Sequence, residues 1–155
     1  MILKKKYVSL NETLSAMRLQ IAEGIPFAKE WAPALSNPND LFLWLKPQLI
    51  YKNDPPGIEL LQTLPTLIKD NYYGVAGMGD CDCFCIAALT TAFVQNWPRS
   101  TQYYIVLAGR NPKNAVHIWV EIEYNGKNYI IDLTNPLPGQ KRPYPITQRL
   151  LINKF

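Results

Sequence analysis

The sequence has little of two residue types that often carry enzyme chemistry. It contains one histidine, His117, and three cysteines at positions 81, 83 and 85. Cysteines this close together cannot close a long loop through a disulfide, so the pattern favours a reducing, intracellular setting. Any reaction that needs an imidazole must therefore use His117.

The sequence also lacks the marks of a membrane, exported or nucleic-acid-binding protein. No apolar run approaches the roughly 18 residues of a membrane span. Residues 1–7 include three lysines but are not followed by the apolar segment and cleavage site of a signal peptide. The net charge is only +4, and the lysines and arginines are spread along the chain. We therefore expect a soluble, cytoplasmic protein that binds neither membrane nor nucleic acid.

What is present fits one globular domain of 155 residues, of which 48% are hydrophobic and 18% charged. The Ser-x-x-Glu capping box at residues 9–12 predicts a first helix at about 10–23. Prolines divide the next stretch into turns over 25–40, a short helix at 41–45, a turn at 53–57 and a helical piece over 58–67 that Pro65 interrupts. We thus expect a helical lead-in over 1–40 and a mainly helical first half.

A central helix is predicted to begin at Cys81. Asp80 is a good N-cap, and helix-forming residues continue to about Asn96, before Pro98. One face of this helix carries small side chains, those of residues 81, 85, 88 and 92, which allow a sheet to approach closely. We expect this helix to be buried against the strands that follow.

The last third of the sequence changes to the two-residue period of strands, in runs at 103–108, 116–123 and 128–133. Asn125-Gly126 between the last two runs is a strong hairpin signal. We therefore predict an α+β fold in which the helix of Cys81 packs on a three-stranded, or slightly larger, antiparallel sheet. The core covers residues 41–135, and the proline-rich tail, 136–155, runs extended over the surface.

The predicted hairpin brings a histidine and an aspartate together. With a two-residue loop between the strands, His117 faces Thr134 and Trp119 faces Asp132. All four side chains then lie on one face of the sheet. Asp132 is diagonal to His117 and close enough to hold the imidazole in one tautomer, which is the orienting role in a catalytic triad.

Cys81 is the candidate nucleophile. At the first turn of its helix the sulfur lies near unpaired N–H groups and the positive end of the helix dipole, which favour the thiolate. Asp80 and Asp82 flank the thiol and oppose this effect unless they cap the helix. The backbone N–H of Cys81 is a natural oxyanion donor, and the candidates for a second donor are Tyr51, Tyr72 and Tyr73.

Three segments that hold these residues resemble the signature segments of the transglutaminase-like family, which belongs to the papain-like cysteine enzymes. They are Gly79-Asp80-Cys81-Asp82, His117-Ile118-Trp119-Val120-Glu121 and Tyr129-Ile130-Ile131-Asp132-Leu133-Thr134. Upstream, residues 54–63 are similar to the Asp-Pro-x-Gly-x-Glu-Leu-Leu-Gln segment of bacterial and tailed-phage members. The resemblance covers about residues 41–135 and departs at Cys83, where those relatives usually carry an aspartate.

The resemblance implies a papain-like core with Cys81 as nucleophile, His117 as general base and Asp132 as its orienter. It implies a cysteine-dependent amide hydrolase or acyltransferase, either a peptidase or a transglutaminase-like enzyme, that acts on a protein or peptide without a cofactor. Some members have lost activity, so the alternative is a non-enzymatic structural or interaction protein, such as a phage or prophage particle component located in the virion. The small size of the chain suggests that a partner or a larger assembly completes the substrate groove.

Several neighbouring residues have both a functional and a structural interpretation. Asp54 and Glu59 either help to shape the cleft or serve as a turn cap and a helix-start charge. Trp119 either forms a wall of the substrate groove or packs the core. Three further residues are expected to support the site: Asp80, Asp82 and Thr134.

A zinc site is the rival chemistry, because three cysteines and His117 number four possible ligands. Helix residues two positions apart point about 200° apart, so Cys83 would diverge from Cys81 and Cys85. We therefore expect no metal, and we expect Cys83 and Cys85 to be small core residues.

Overall fold

A computed structural model of the protein describes residues 2–5, 10–111, 114–140, 143–144 and 146–153. Its helices are α1 (Leu10–Trp31), α2 (Pro38–Leu45), α3 (Leu64–Lys69) and α4 (Cys81–Phe93), with a 3-10 helix at Lys46–Gln48. Its strands are β1 (Ile2–Lys5), β2 (Ile50–Tyr51), β3 (Glu59–Gln62), β4 (Met78–Gly79), β5 (Gln102–Asn111), β6 (Asn114–Tyr124), β7 (Lys127–Ile131) and β8 (Ile146–Ile152). The predicted α+β class is confirmed. None of the described helices has the length and apolar character that crossing a membrane requires.

Helix α4 is the buried centre of the fold. Every residue from 83 to 93 is buried, and the helix packs between α1 and β6. The Asp80 carboxylate caps its start by accepting hydrogen bonds from the backbone N–H groups of Asp82 and Cys83, at 3.2 and 3.3 Å. The helix ends at Phe93, before the predicted Asn96, because the backbone N–H of Gln95 turns back to the Ala92 carbonyl.

An antiparallel sheet in the order β7-β6-β5-β8 covers one side of α4. The predicted hairpin register is confirmed, since Val120 pairs with Ile131 and Tyr124 with Lys127. Asn125 and Gly126 have φ of 50° and 77°, as a two-residue hairpin loop of this kind requires.

The prediction of an extended surface tail was wrong for its last part. Strand β8 pairs with β5 along its length, which makes the described sheet four-stranded instead of three-stranded. Ile152 is buried in the main core, and the pairing covers an edge of β5 that would otherwise be open.

The two faces of the sheet have different neighbours. Ile118, Val120 and Ile122 on β6 point into the main core with α4. The alternate residues point away from α4, where Trp119 forms a small second cluster with Val106 and Ala108. By the same alternation, His117 lies on the Trp119 face.

Two predictions for the first half were wrong. Helix α1 continues through Pro26 to Trp31 instead of giving way to turns, because Ile21, Gly24 and Ala28 extend its buried stripe toward α3 and α4. This packing outweighs the roughly 3 kcal/mol cost of an internal proline. The capping residue Ser9 lies outside the described residues.

The predicted helical piece over 58–67 is a strand followed by a helix. Strand β3 pairs antiparallel with β1, and both Leu60 and Leu61 are buried. Pro65 starts α3 instead of interrupting it, since Thr63 caps the helix by accepting from the backbone N–H of Thr66 at 3.2 Å. A short apolar run does not distinguish a buried strand from a helix by its period alone.

A close backbone contact fixes the path of the chain segment that precedes Cys81. Strands β2 and β4 pair in parallel, with Tyr51 opposite Gly79, and the Ile50 N–H donates to the Gly77 carbonyl at 2.9 Å. Gly77 has a φ of 81°, and a Cβ at this position would overlap the carbonyl oxygen of Gln48. Only glycine fits here without moving the chain that leads into α4.

We expect Gly77→Ala to lower the free energy of unfolding by about 3 kcal/mol or more, because it adds a backbone overlap to a strained φ. Gly57→Ala is the matched control: Gly57 has a φ of 72° but no atom within 4 Å of an added Cβ. Its expected cost is about 1 kcal/mol. Urea denaturation of both variants checks the difference, and equal losses would contradict the proposed contact.

Candidate active site

His117 and Asp132 form a buried pair on the face of the sheet opposite α4. The His117 Nε2 atom lies 2.7 Å from Asp132 Oδ2, and the two residues are 7% and 2% exposed. Paired backbone ends at Ile131, so Asp132 follows directly after β7 and its carboxylate turns back toward β6. The sequence predicted this diagonal contact from the hairpin register.

Thr134 completes the hydrogen bonding of Asp132. Its hydroxyl donates to Asp132 Oδ1 at 2.7 Å, and its backbone N–H donates to the same oxygen at 3.1 Å. Burial alone would raise the pKa of Asp132, but the hydrogen bonds from His117 and Thr134 outweigh it and hold the pKa below its ordinary value. Asp132 therefore stays ionised and can hold the imidazole in place.

Lys46 also lies near this pair, although nothing in the sequence singled it out. Its Nζ atom donates to the Leu133 carbonyl at 2.7 Å. Burial lowers the pKa of Lys46, while the negative charge of Asp132 opposes that shift. Lys46 thus ties the 3-10 helix after α2 to the chain segment that carries Asp132.

Cys81 lies at the first turn of α4 and is partly exposed. The backbone N–H of Ile118, the residue after His117, faces its sulfur. Asp132 and Thr134 both contact the Nε2 atom of His117, at 2.7 and 3.5 Å. These two contacts engage Nε2 and leave Nδ1 as the other ring nitrogen that could exchange a proton.

The environment of Cys81 disfavours a thiolate at rest. Burial raises the pKa of its thiol well above the ordinary value, and the negative charges of Asp82, Asp80 and Asp132 add to the shift. The Ile118 N–H opposes them. Asp80 does cap α4, as predicted, but its charge and that of Asp82 still raise the thiol pKa.

Four carboxyl groups crowd the start of α4: Asp54, Glu59, Asp80 and Asp82. Burial and the charge of Asp54 raise the pKa of Asp80 to about 8, and these two carboxyl groups are hydrogen-bonded to each other. Burial also raises the pKa of Asp82, which is hydrogen-bonded to Glu59. Two carboxyl groups can form such a bond only when one of them keeps its proton, so the cluster retains protons well above the ordinary pKa of an aspartate.

Oxygens of Asp54, Glu59 and Asp80 lie within 4.8 Å of one another, so these side chains could also hold a metal ion. Within the part of the chain that the structure describes, the cysteines and His117 form no such group. Cys83 and Cys85 instead lie in the core, at 1% and 3% exposure, and the Cys83 thiol donates to the Leu60 carbonyl at 3.2 Å.

Two aromatic rings flank His117. Trp119 is 1% exposed, and its ring centre lies 5.6 Å from that of His117. Tyr144, which the sequence did not single out, lies 5.8 Å from His117 and 6.5 Å from Trp119. Trp119 is therefore buried beside the imidazole, on the sheet face that points away from α4.

The tyrosines considered as oxyanion donors lie around the chain that leads into α4. The Tyr51 ring packs edge-on against Phe84, with ring centres 6.1 Å apart. Tyr72 packs on Tyr73 in the same way, and the Tyr73 hydroxyl donates to the Asn53 carbonyl at 3.3 Å. Asp80 caps the N–H groups of Asp82 and Cys83 at the start of α4. The backbone N–H of Cys81, at the same helix start, remains the candidate oxyanion donor.

The raised pKa of Asp80 predicts that stability falls as pH rises. Its stabilising contribution is fully present below the unfolded-state pKa, near 4, and is lost as pH rises through the folded-state value of about 8. Asp80→Asn keeps a capping oxygen but cannot ionise. We expect this variant to match wild type at pH 4 and to exceed it by a few kcal/mol at pH 9, as measured by urea denaturation. Parallel pH curves would contradict the assignment.

Comparison of the chain with models of known protein families gives no match. A search of curated proteins likewise finds no significant relative.

Proposed function

We propose that this protein is a cysteine-dependent amide hydrolase or acyltransferase with a papain-like, transglutaminase-like core. One observation carries the proposal: the buried His117–Asp132 pair, 2.7 Å apart, lies beside the N-terminus of α4, where Cys81 faces the N–H of Ile118. The resemblance of the three sequence segments supports the same assignment. The proposed substrate is a protein or peptide.

The reaction would begin with a neutral thiol, because burial and acidic neighbours oppose a resting thiolate. His117 would accept the Cys81 proton at Nδ1 while the sulfur attacks the substrate carbonyl carbon. The oxyanion that forms is stabilised by the Cys81 backbone N–H at the positive end of the helix. His117 then gives the proton to the departing amine as the C–N bond breaks, which leaves a thioester on Cys81.

The second half of the reaction reverses these roles. A water molecule or an amine loses its proton to His117 and attacks the thioester, and the sulfur leaves and regains the proton. Asp132 remains ionised throughout and stabilises the imidazolium each time it forms. Water gives hydrolysis, whereas an amine gives acyl transfer.

Limiting alkylation by iodoacetamide, followed by peptide mass spectrometry, tests the proposal. We expect Cys81 to be labelled first and His117→Ala to slow its labelling by about 100-fold, since the base that removes its proton is lost. The buried Cys83 and Cys85 are internal controls that should label slowly in both proteins. Equally slow labelling of all three cysteines in the wild type would refute the proposal.

The second candidate is a non-enzymatic structural or interaction protein, such as a phage or prophage particle component. This candidate predicts equally slow labelling of all three cysteines. The raised pKa of Cys81 favours this candidate, because an unactivated thiol is what a degenerate pocket would contain.

Asp80→Asn also tests the electrostatic argument. We expect it to increase the labelling rate of Cys81 by about tenfold at pH 9, where wild-type Asp80 is ionised and opposes the thiolate. The two rates should converge at pH 6, where Asp80 holds its proton. Glu30→Gln removes an exposed charge on α1 and serves as the control. A rate difference that is the same at both pH values would contradict the role of the Asp80 charge.

A further inference from the structure

We infer that Glu121 is a positioning residue for His117 and acts through Trp119. The inference rests on the proposed function, since it concerns the residue that serves there as the base. Glu121 lies on β6 on the same face as His117, with Trp119 between them. It is 7% exposed, which is unusual for a glutamate.

A hydrogen bond joins Glu121 to the indole of Trp119. Trp119 Nε1 donates to Glu121 Oε2 at 2.9 Å, and the indole is almost fully buried. A buried N–H without an acceptor costs about 1–3 kcal/mol, so the carboxylate decides which way the indole ring can face.

The Glu121 carboxylate is itself held by hydrogen bonds from two other strands. Its other oxygen, Oε1, accepts from Asn128 Nδ2 at 2.8 Å and from Arg149 Nε at 3.2 Å. Arg149 is held in turn by Asn128, Glu123 and the face of the Tyr104 ring, whose centre is 3.6 Å away. The carboxylate is therefore fixed from β7 and β8 as well as from its own strand.

The neighbouring aromatic rings restrict the orientation of the His117 imidazole. The bond from Nε2 to Asp132 fixes one point of the imidazole but still allows the ring to tilt about that bond. The rings of Trp119 and Tyr144, each within 6 Å of the imidazole centre, limit this tilt. A fixed indole therefore limits the tilt of the imidazole and so the direction of Nδ1, and orientation of this kind is worth up to about 100-fold in rate.

Glu123 provides a matched control. It also pairs with Arg149, at 3.1 Å, but the described hydrogen bonds do not connect it to Trp119. Glu123→Leu thus removes an ion pair from the same network and leaves the indole anchored. Glu121→Leu removes the anchor, and Glu121→Gln keeps an oxygen that can accept from the indole.

The test uses the single histidine of the chain. Its two ring nitrogens give one pair of ¹⁵N signals, whose positions and widths respond to the environment and mobility of the ring. They are read from pH 5 to 9 together with the rate of Cys81 alkylation. Among the described residues, Asp132 and Tyr144 contact His117, and Cys81 and Lys46 are near Asp132. All four are unchanged in these variants.

We expect Glu121→Leu to broaden and shift the ¹⁵N signals, because the ring then samples more than one tilt, and to slow Cys81 labelling by about tenfold. Glu121→Gln and Glu123→Leu should stay within about twofold of wild type. Wild-type signals in Glu121→Leu, or an equal change in Glu123→Leu, would overturn the inference.

If Glu121→Leu does not fold, Trp119→Phe decides the question. It deletes the indole N–H and keeps an aromatic ring, so it should change the ¹⁵N signals in the same direction; unchanged signals would overturn the inference. The ¹⁵N readout does not require a reactive thiol. An unreactive wild-type Cys81 with ¹⁵N signal changes confined to Glu121→Leu would therefore refute the proposed function and leave the positioning role intact.

Discussion

The register of the β6–β7 hairpin is the constraint on which the site depends. Because strand side chains alternate, a slip of one residue would turn either His117 or Asp132 to the other face and separate them. The loop at Asn125 and Gly126 fixes this register through its two positive φ values. The buried aliphatic residues that β6 directs at α4 reinforce it, since a slipped strand would expose them.

The three candidate residues come from different elements of the fold and from opposite sides of the sheet. Cys81 arrives with α4, whereas His117 lies on the other face with Trp119. The β6–β7 pairing stops at Ile131, and beyond it the backbone N–H of Ile118, the residue after His117, faces the Cys81 sulfur. The end of β7 therefore both frees Asp132 to bind His117 and gives the thiol access to the Ile118 N–H.

The sequence predicted the parts of this arrangement that depend on local pattern. The α4 cap at Asp80 and the hairpin pairing follow from neighbouring residues, and both are confirmed. Strand β8, Tyr144 and Lys46 depend instead on contacts between distant segments, such as the bond from Lys46 to the Leu133 carbonyl. The hydrophobic periodicity of a single segment cannot predict such contacts. Helix α1 shows the same limit, since its packing overrides the signal of Pro26.

The carboxyl cluster at the start of α4 links the stability of the fold to the chemistry proposed for it. Asp80 is needed to cap the helix that carries Cys81, yet its charge opposes formation of the thiolate. Sharing protons with Asp54 reduces this conflict at neutral pH, because a protonated carboxyl group still offers an oxygen to the helix N–H groups. The cap then remains while part of the negative charge is removed. In the proposed reaction, a thiol in this setting needs His117 to take its proton during attack. The orientation of that ring would then matter more than it does for a preformed thiolate.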